Sequence, residues 1–196
     1  MEYEVFVAGI GGQGIQLIAK VLAVAATAEN RHVMLNGVYG GEMRGGKSLA
    51  TVVLGDRPLR ALPVTARAAA AVVLHSKFWE EPHSRLRPDA LIVADSEISD
   101  QLSPRQTESL VAVPATRISR DIGNPMVAGM VLLSAFNAMT GLVSQDQLRA
   151  AMRQLVPPYR AQHIAANEQA ILAGADAVTI LSKRVVLDGG EQRSVA

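Results

Sequence analysis

VFVAGIGGQGIQLIAKVLA, Val5 to Ala23, runs from an apolar stretch through four glycines in six residues, Gly9 to Gly14, into a helical pattern. Glu4 to Ala8 is short and rich in β-branched and aromatic residues, which suits a buried parallel strand. Ile15, Ile18, Ala19, Leu22 and Ala26 recur at three- and four-residue intervals, so a helix is expected from Ile15 to about Ala28. Gly9, Gly11 and Gly14 satisfy G-x-G-x-x-G between strand and helix. In that setting one glycine permits the turn, the next lets an anion approach the backbone, the third admits close helix packing, and the helix start favours negative charge. A dinucleotide site also wants an acidic residue at the end of the second strand, where this sequence has Asn36 followed by Gly37 and Val38. A nucleotide-binding P-loop would need Lys and Ser or Thr after the last glycine, and finds Ile15 and Gln16. Glycines that only pack helix against strand are the plain alternative.

Outward from this unit, His32 to Asn36 reads as a second strand and Ser48 to Leu54 as a third. Between them GVYGGEMRGGK, Gly37 to Lys47, holds five glycines and no apolar period. Such a loop loses much backbone entropy on folding unless close approach or positive φ requires it. GDRP at Gly55 to Pro58 signals a turn, and Ala70 to Leu74, Ala90 to Ala94 and Leu110 to Val113 are further strand-like runs. Their alternation with helical stretches predicts an α/β fold: three layers, a mostly parallel sheet with helices on both faces, and a Rossmann-like start. After Pro125 helices are expected at Met126 to about Met139, Ser144 to Leu155 with Ser144 as N-cap, and Arg160 to Ala173. The chain reads as one domain over residues 1–182, with a frayed tail at 183–196.

Composition removes several chemistries. There is no cysteine, hence no disulfide, thiol nucleophile or thiolate cluster ligand. A formal net charge of +1 provides no field for a polyanion, so nucleic acid is not an expected partner. The four histidines are scattered without metal-ligand spacing. Met126 to Val143 carries no charge, but Asn137, Ser134, Thr140 and two glycines favour a buried helix over a membrane span. The acidic start, Glu2 and Glu4, lacks the pattern of a signal peptide, and a cytoplasmic location is expected. Asp95 and Ser96 follow a strand, which allows them a place on the ligand side of the sheet, but turn capping is the safer reading; Trp79 and Tyr159 read as packing or interface residues.

GIGGQGI followed by YGGEMRGGKS, and later by Gly123-Asn124-Pro125 before a long apolar helix, resembles the gamma subunit or gamma domain of the 2-oxoacid:acceptor (ferredoxin) oxidoreductases. The resemblance runs from Val5 to about Gly174. The family loop often has Ser before Tyr and Pro before Glu, where this chain has Val38 and Gly41. The resemblance implies a role within a complex that oxidises a 2-oxoacid and coenzyme A to an acyl-CoA and carbon dioxide. Thiamine diphosphate, magnesium and 4Fe-4S clusters would then reside in alpha, beta and ferredoxin-like delta partners. This chain would hold no cofactor alone, would contact coenzyme A, and would complete a coenzyme A-facing wall and a subunit interface. The candidate binding residues are Gly11, Gly12, Gln13, Gly14, Glu42, Met43, Arg44, Lys47 and Asn124; no catalytic or metal residue is expected. Physically, amides at a helix start together with Arg44 and Lys47 suit a phosphate or carboxylate, while a Glu42–Arg44 ion pair would merely hold the loop. The other readings of the residues are a free-standing NAD(P)-binding protein or reductase and a self-associating structural module.

Overall fold

The computed structural model describes residues 2–41, 45–59, 67–180, 185–188 and 191–194. Glu42, Met43 and Arg44 of the second glycine loop lie outside them. Strand β1 is Glu2–Ile10, helix α1 Ile15–Ala28, β2 His32–Tyr39, β3 Lys47–Gly55 and β4 Ala68–Val73. There follow α2 Glu80–Ser84, β5 Leu86–Asp95, β6 Ser109–Val113, α3 Ala115–Asp121, α4 Ala128–Thr140, α5 Gln145–Leu155 and α6 Ile164–Ile180.

One six-stranded sheet runs in the order β2-β3-β1-β4-β5-β6. β4, β5 and β6 run parallel to β1. β3 is antiparallel to both its neighbours, β1 and β2. The reason is the length of the β2–β3 connection. Residues 40–46 suffice for a reversal, whereas a parallel neighbour needs a crossover of a dozen residues or more. The strand after α1 therefore does not lie beside β1, as it would in a dinucleotide fold. β3 occupies that place and pushes β2 to the edge.

Alternation along the strands sorts the core into two faces. Val5, Val7, Ala50, Val52, Ala70 and Val72 pack under α1, α4, α5 and α6. Phe6, Ala8, Leu49, Ala71 and Val73 face the other way, onto Trp79, Leu86 and Leu102. That second face is covered by the short α2 and a 3-10 turn at Ser99–Gln101, a thinner layer than the first.

The uncharged stretch after Pro125 begins as a 3-10 turn, Pro125–Val127, and becomes α4, buried on nearly every side. Its polar residues are spoken for. Asn137 bonds both the amide and the carbonyl of Val143, at 3.0 and 2.8 Å, closing the turn into α5. Ser144 caps α5 by accepting from the Gln147 amide. No helix among the described residues is long and apolar enough to cross a membrane. The expected helix from Arg160 starts as a 3-10 segment, Pro158–His163, before α6. At the far end Val185–Asp188, β7, pairs antiparallel with Glu191–Ser194, β8, where the sequence pattern alone suggests a frayed tail.

Candidate functional site

The turn after β1 and the loop before β3 meet at the carboxyl ends of β1 and β4. The Gly11 amide donates to the Gly46 carbonyl at 2.8 Å, and the Gly45 amide donates to the Gly11 carbonyl at 3.2 Å. The two glycine-rich segments are thus clasped backbone to backbone, and in the second of them Gly45 adopts a φ of 72° while a Cβ at Gly40 would sit 3.0 Å from the Lys47 backbone nitrogen. Gly12 and Gly14 adopt φ of 102° and 74°, the left-handed region where other residues are strained. Gly14 is the N-cap of α1, and the first bond of the helix runs from the Ile18 amide to the Gly14 carbonyl. The amides of Ile15, Gln16 and Leu17 therefore have no acceptor within the helix.

These amides open onto a groove of about 600 Å³. One wall is the turn and α1; another is the β2–β3 rim with Tyr39, Gly40, Lys47 and Ser48; Asn124 and Met126 border it, and the segment from Leu155 to Asn167 closes it. Of the residues expected from sequence, Gly11, Gly12, Gly14, Lys47 and Asn124 are brought together here. Their parts differ. The Gly11 amide is consumed by the clasp and the Gln13 amide by the Ile10 carbonyl, so the amides without an acceptor in the helix lie one step further on, in the first turn of α1. Gln13 faces away from the groove: its Oε1 accepts from the Ile10 amide at 3.0 Å and its Nε2 donates to the Leu74 carbonyl at 3.1 Å. It braces the turn against β4. Asn124 accepts from the Met126 amide through its side chain at 3.1 Å and shapes the entry to α4.

Lys47 sits at the rim, but its ammonium is held by Glu81 of α2 at 2.6 Å. Glu81 also accepts from Arg85 at 3.1 Å. Burial alone would raise the Glu81 carboxyl, but the hydrogen bonds from Lys47 and Arg85 outweigh it and hold the group below the ordinary carboxylate range. Leu49, two residues on, packs on the α2 face of the sheet, and Lys47 shares its direction.

Pattern reading missed the residues opposite. Arg160, His163 and Asn167 all line the groove, and their spacing of three and four residues places them on one helical face. That spacing was the available signal. Asn167 is fixed by donating from Nδ2 to the His163 carbonyl at 2.8 Å. Ser48, only 6% exposed, lines the floor. Its direction follows from β3 alternation, since Ala50 and Val52 belong to the helix-covered face.

Elsewhere polar groups are structural. Asp95, at the end of β5, accepts from the amides of Glu97 and Thr116 and from the Thr116 hydroxyl, holding the start of α3. His83 pairs with Glu108 at 2.8 Å and stacks on Trp79, whose indole donates to the Leu102 carbonyl. Among the described residues no three His, Cys, Asp or Glu side chains gather as a metal site.

Fold and groove together define an α/β component with an open groove at the strand ends, whose own side chains include no thiol for a cluster. The chain belongs to the pyruvate ferredoxin/flavodoxin oxidoreductase family, whose model matches residues 4–177, and it is a gamma subunit of 2-oxoacid ferredoxin oxidoreductase complexes. It is 30% identical to 2-oxoglutarate synthase subunit KorC of Methanocaldococcus jannaschii over 80% of this chain and 85% of that one. The keto/oxoacid ferredoxin oxidoreductase gamma subunit of Geobacter sulfurreducens superposes with a TM-score of 0.77 at 26% identity, over 91% of this chain and 99% of that chain. A 2-oxoglutarate:ferredoxin oxidoreductase from Magnetococcus marinus, solved with 2-oxoglutarate, coenzyme A and succinyl-CoA bound, shares the fold. Its TM-score is 0.83 at 17% identity, covering 100% of this chain and 33% of that chain.

Proposed function

We propose that this gamma subunit forms the coenzyme A-facing wall of a complex that oxidatively decarboxylates a 2-oxoacid, yielding an acyl-CoA and carbon dioxide. The observation that carries the reading is that the free amides of the first turn of α1 face the same groove as Arg160 and His163. Phosphate groups are stabilised at such a helix start by the aligned amides and the positive end of the helix dipole. A guanidinium across the groove adds charge-assisted hydrogen bonds of planar geometry. Ile15, Leu17, Val127 and Val156 supply apolar wall beside them, suited to the pantetheine arm. Ser48, Asn124 and Asn167 add neutral hydrogen-bonding groups that orient the ligand without charge.

In this reading alpha, beta and ferredoxin-like delta subunits bring thiamine diphosphate, magnesium and 4Fe-4S clusters. Those groups supply the carbanion stabilisation and electron transfer of the reaction. The lack of cysteine in this chain supports that division, because iron-sulfur clusters are held by Cys thiolates. Tyr39 and Met126, 68% and 69% exposed at the groove's border, offer apolar surface for a partner subunit to cover.

The test is steady-state kinetics of the assembled complex carrying Arg160→Ala. The KM for coenzyme A should rise by about tenfold, the loss expected for one charge-assisted hydrogen bond, while kcat at saturating coenzyme A holds. An unchanged KM in an intact complex overturns the reading.

A further inference from the structure

The Lys47–Glu81 pair joins the groove's rim to the opposite face of the sheet. Lys47 follows Gly46, whose carbonyl accepts the Gly11 amide in the clasp between the two glycine segments. Its own carbonyl accepts from the Gly40 amide at 2.7 Å. Any displacement of Lys47 therefore moves both ends of the second loop. Glu81 lies on α2, whose neighbours Trp79 and Leu86 belong to the other face of the sheet from α1 and the groove. Glu81 does not line the groove, yet its carboxylate reaches the Lys47 ammonium at 2.6 Å. Lys77, just past β4, adds a second tie from the same side by donating to the Gly45 carbonyl at 3.4 Å.

An ion pair this open to solvent contributes little to global stability; the Lys47 and Glu81 side chains are 31% and 47% exposed. What it does fix is position. Lys47 has a four-carbon flexible stem, and a free ammonium beside an anion site would turn toward the ligand. Tethered to Glu81, it instead anchors the loop end from behind. Arg85, the residue that ends α2, holds the second oxygen of the same carboxylate, so Glu81 itself is fixed on its own side of the sheet.

We propose that Glu81 is a positioning residue: acting through Lys47, it holds Gly45 and Gly46 against the first glycine turn and so sets the affinity of the groove from the far side of the sheet. This rests on the reading of the groove as a coenzyme A site. It also changes the part expected of Lys47, from a ligand contact to an anchor.

The experiment is a double-mutant cycle in the assembled complex with Glu81→Gln, Lys47→Met and the pair, plus Glu81→Asp as the conservative variant. Glu81→Gln should raise the KM for coenzyme A on the order of three- to tenfold with kcat at saturation unchanged. Lys47→Met should do the same, the double variant should be no worse than the worse single, and Glu81→Asp should recover most of the affinity. Multiplicative effects of the two changes overturn the proposal, as does a KM lowered by Glu81→Gln, which would show a released Lys47 binding the ligand. A fall in kcat with KM unchanged also overturns it, since that reports damage elsewhere. Arg160→Ala in parallel separates the two readings. A raised KM there with Glu81→Gln silent sinks only the positioning role, whereas silence in both sinks the coenzyme A site as well.

Discussion

Gln13 illustrates how a residue inside a binding motif can serve the motif rather than the ligand. Its amide bridges the Ile10 amide and the Leu74 carbonyl, tying the glycine turn to the next strand of the sheet. Gly9 is small for the same reason, since a Cβ there would come within 2.6 Å of the Gln13 oxygen and 2.7 Å of Ile15. Gln13→Leu leaves a backbone donor and acceptor without their partner, and should cost about 1–3 kcal/mol. Thermal unfolding checks it: a drop of several degrees is expected for a chain of this size, and an unaltered midpoint would show the brace to be dispensable. From the sequence, Gln13 and Gly12 look equivalent, as neighbours in one turn. The direction of a side chain in a tight turn depends on what lies behind it, and Leu74 is 61 residues away. Lys47 is the same lesson with charge: proximity to glycines suggests an anion, but Glu81, 34 residues on, already holds the ammonium.

Among the elements, the pair α4 and α6 makes the sharpest claim. Gly174 lies against α4 so closely that a Cβ would sit 2.3 Å from the Val131 carbonyl oxygen and 3.0 Å from Ser134 Cβ. The obstacle is backbone, which cannot rotate away, so Gly174→Ala must force the helices apart despite alanine's better helix propensity. A loss of about 1–3 kcal/mol is expected, read as a lower urea midpoint; a midpoint equal to or above that of the parent chain would refute the close packing. Because α6 follows directly on the Arg160–His163 segment, the same substitution should also loosen the far wall of the groove. Periodicity located both helices and the Ser144 cap, for those signals are local. It did not locate α3, a seven-residue helix whose start is held by Asp95 from the end of another strand. Nor did it show that the segment before α6 would be a 3-10 turn that sets Arg160 and His163 along the border of the groove.

At the scale of the whole molecule, strand order settles the fate of the glycine fingerprint. Asn36 pairs with Thr51 on β3, and Thr51 pairs with Phe6 on β1. Asn36 is thus two strand spacings from β1, about 10 Å, whereas a dinucleotide fold has its second strand, with the ribose-binding carboxylate, directly beside the first. The isolated chain should give no saturable change in NADH fluorescence on titration; tight, saturable binding would refute this account of the groove. Sequence alone determined the α/β class, the strand–turn–helix at the start, the long buried helix and the family, because apolar period, glycine placement and motif order are carried by neighbours along the chain. Tertiary structure alone decided that β3 runs antiparallel between β1 and β2, that the two glycine segments clasp, that Gln13 faces away from the groove and Glu81 holds the Lys47 ammonium, and that Arg160, His163 and Asn167 line it. Each of those outcomes rests on contacts between residues far apart in the chain, whose energies no local pattern encodes.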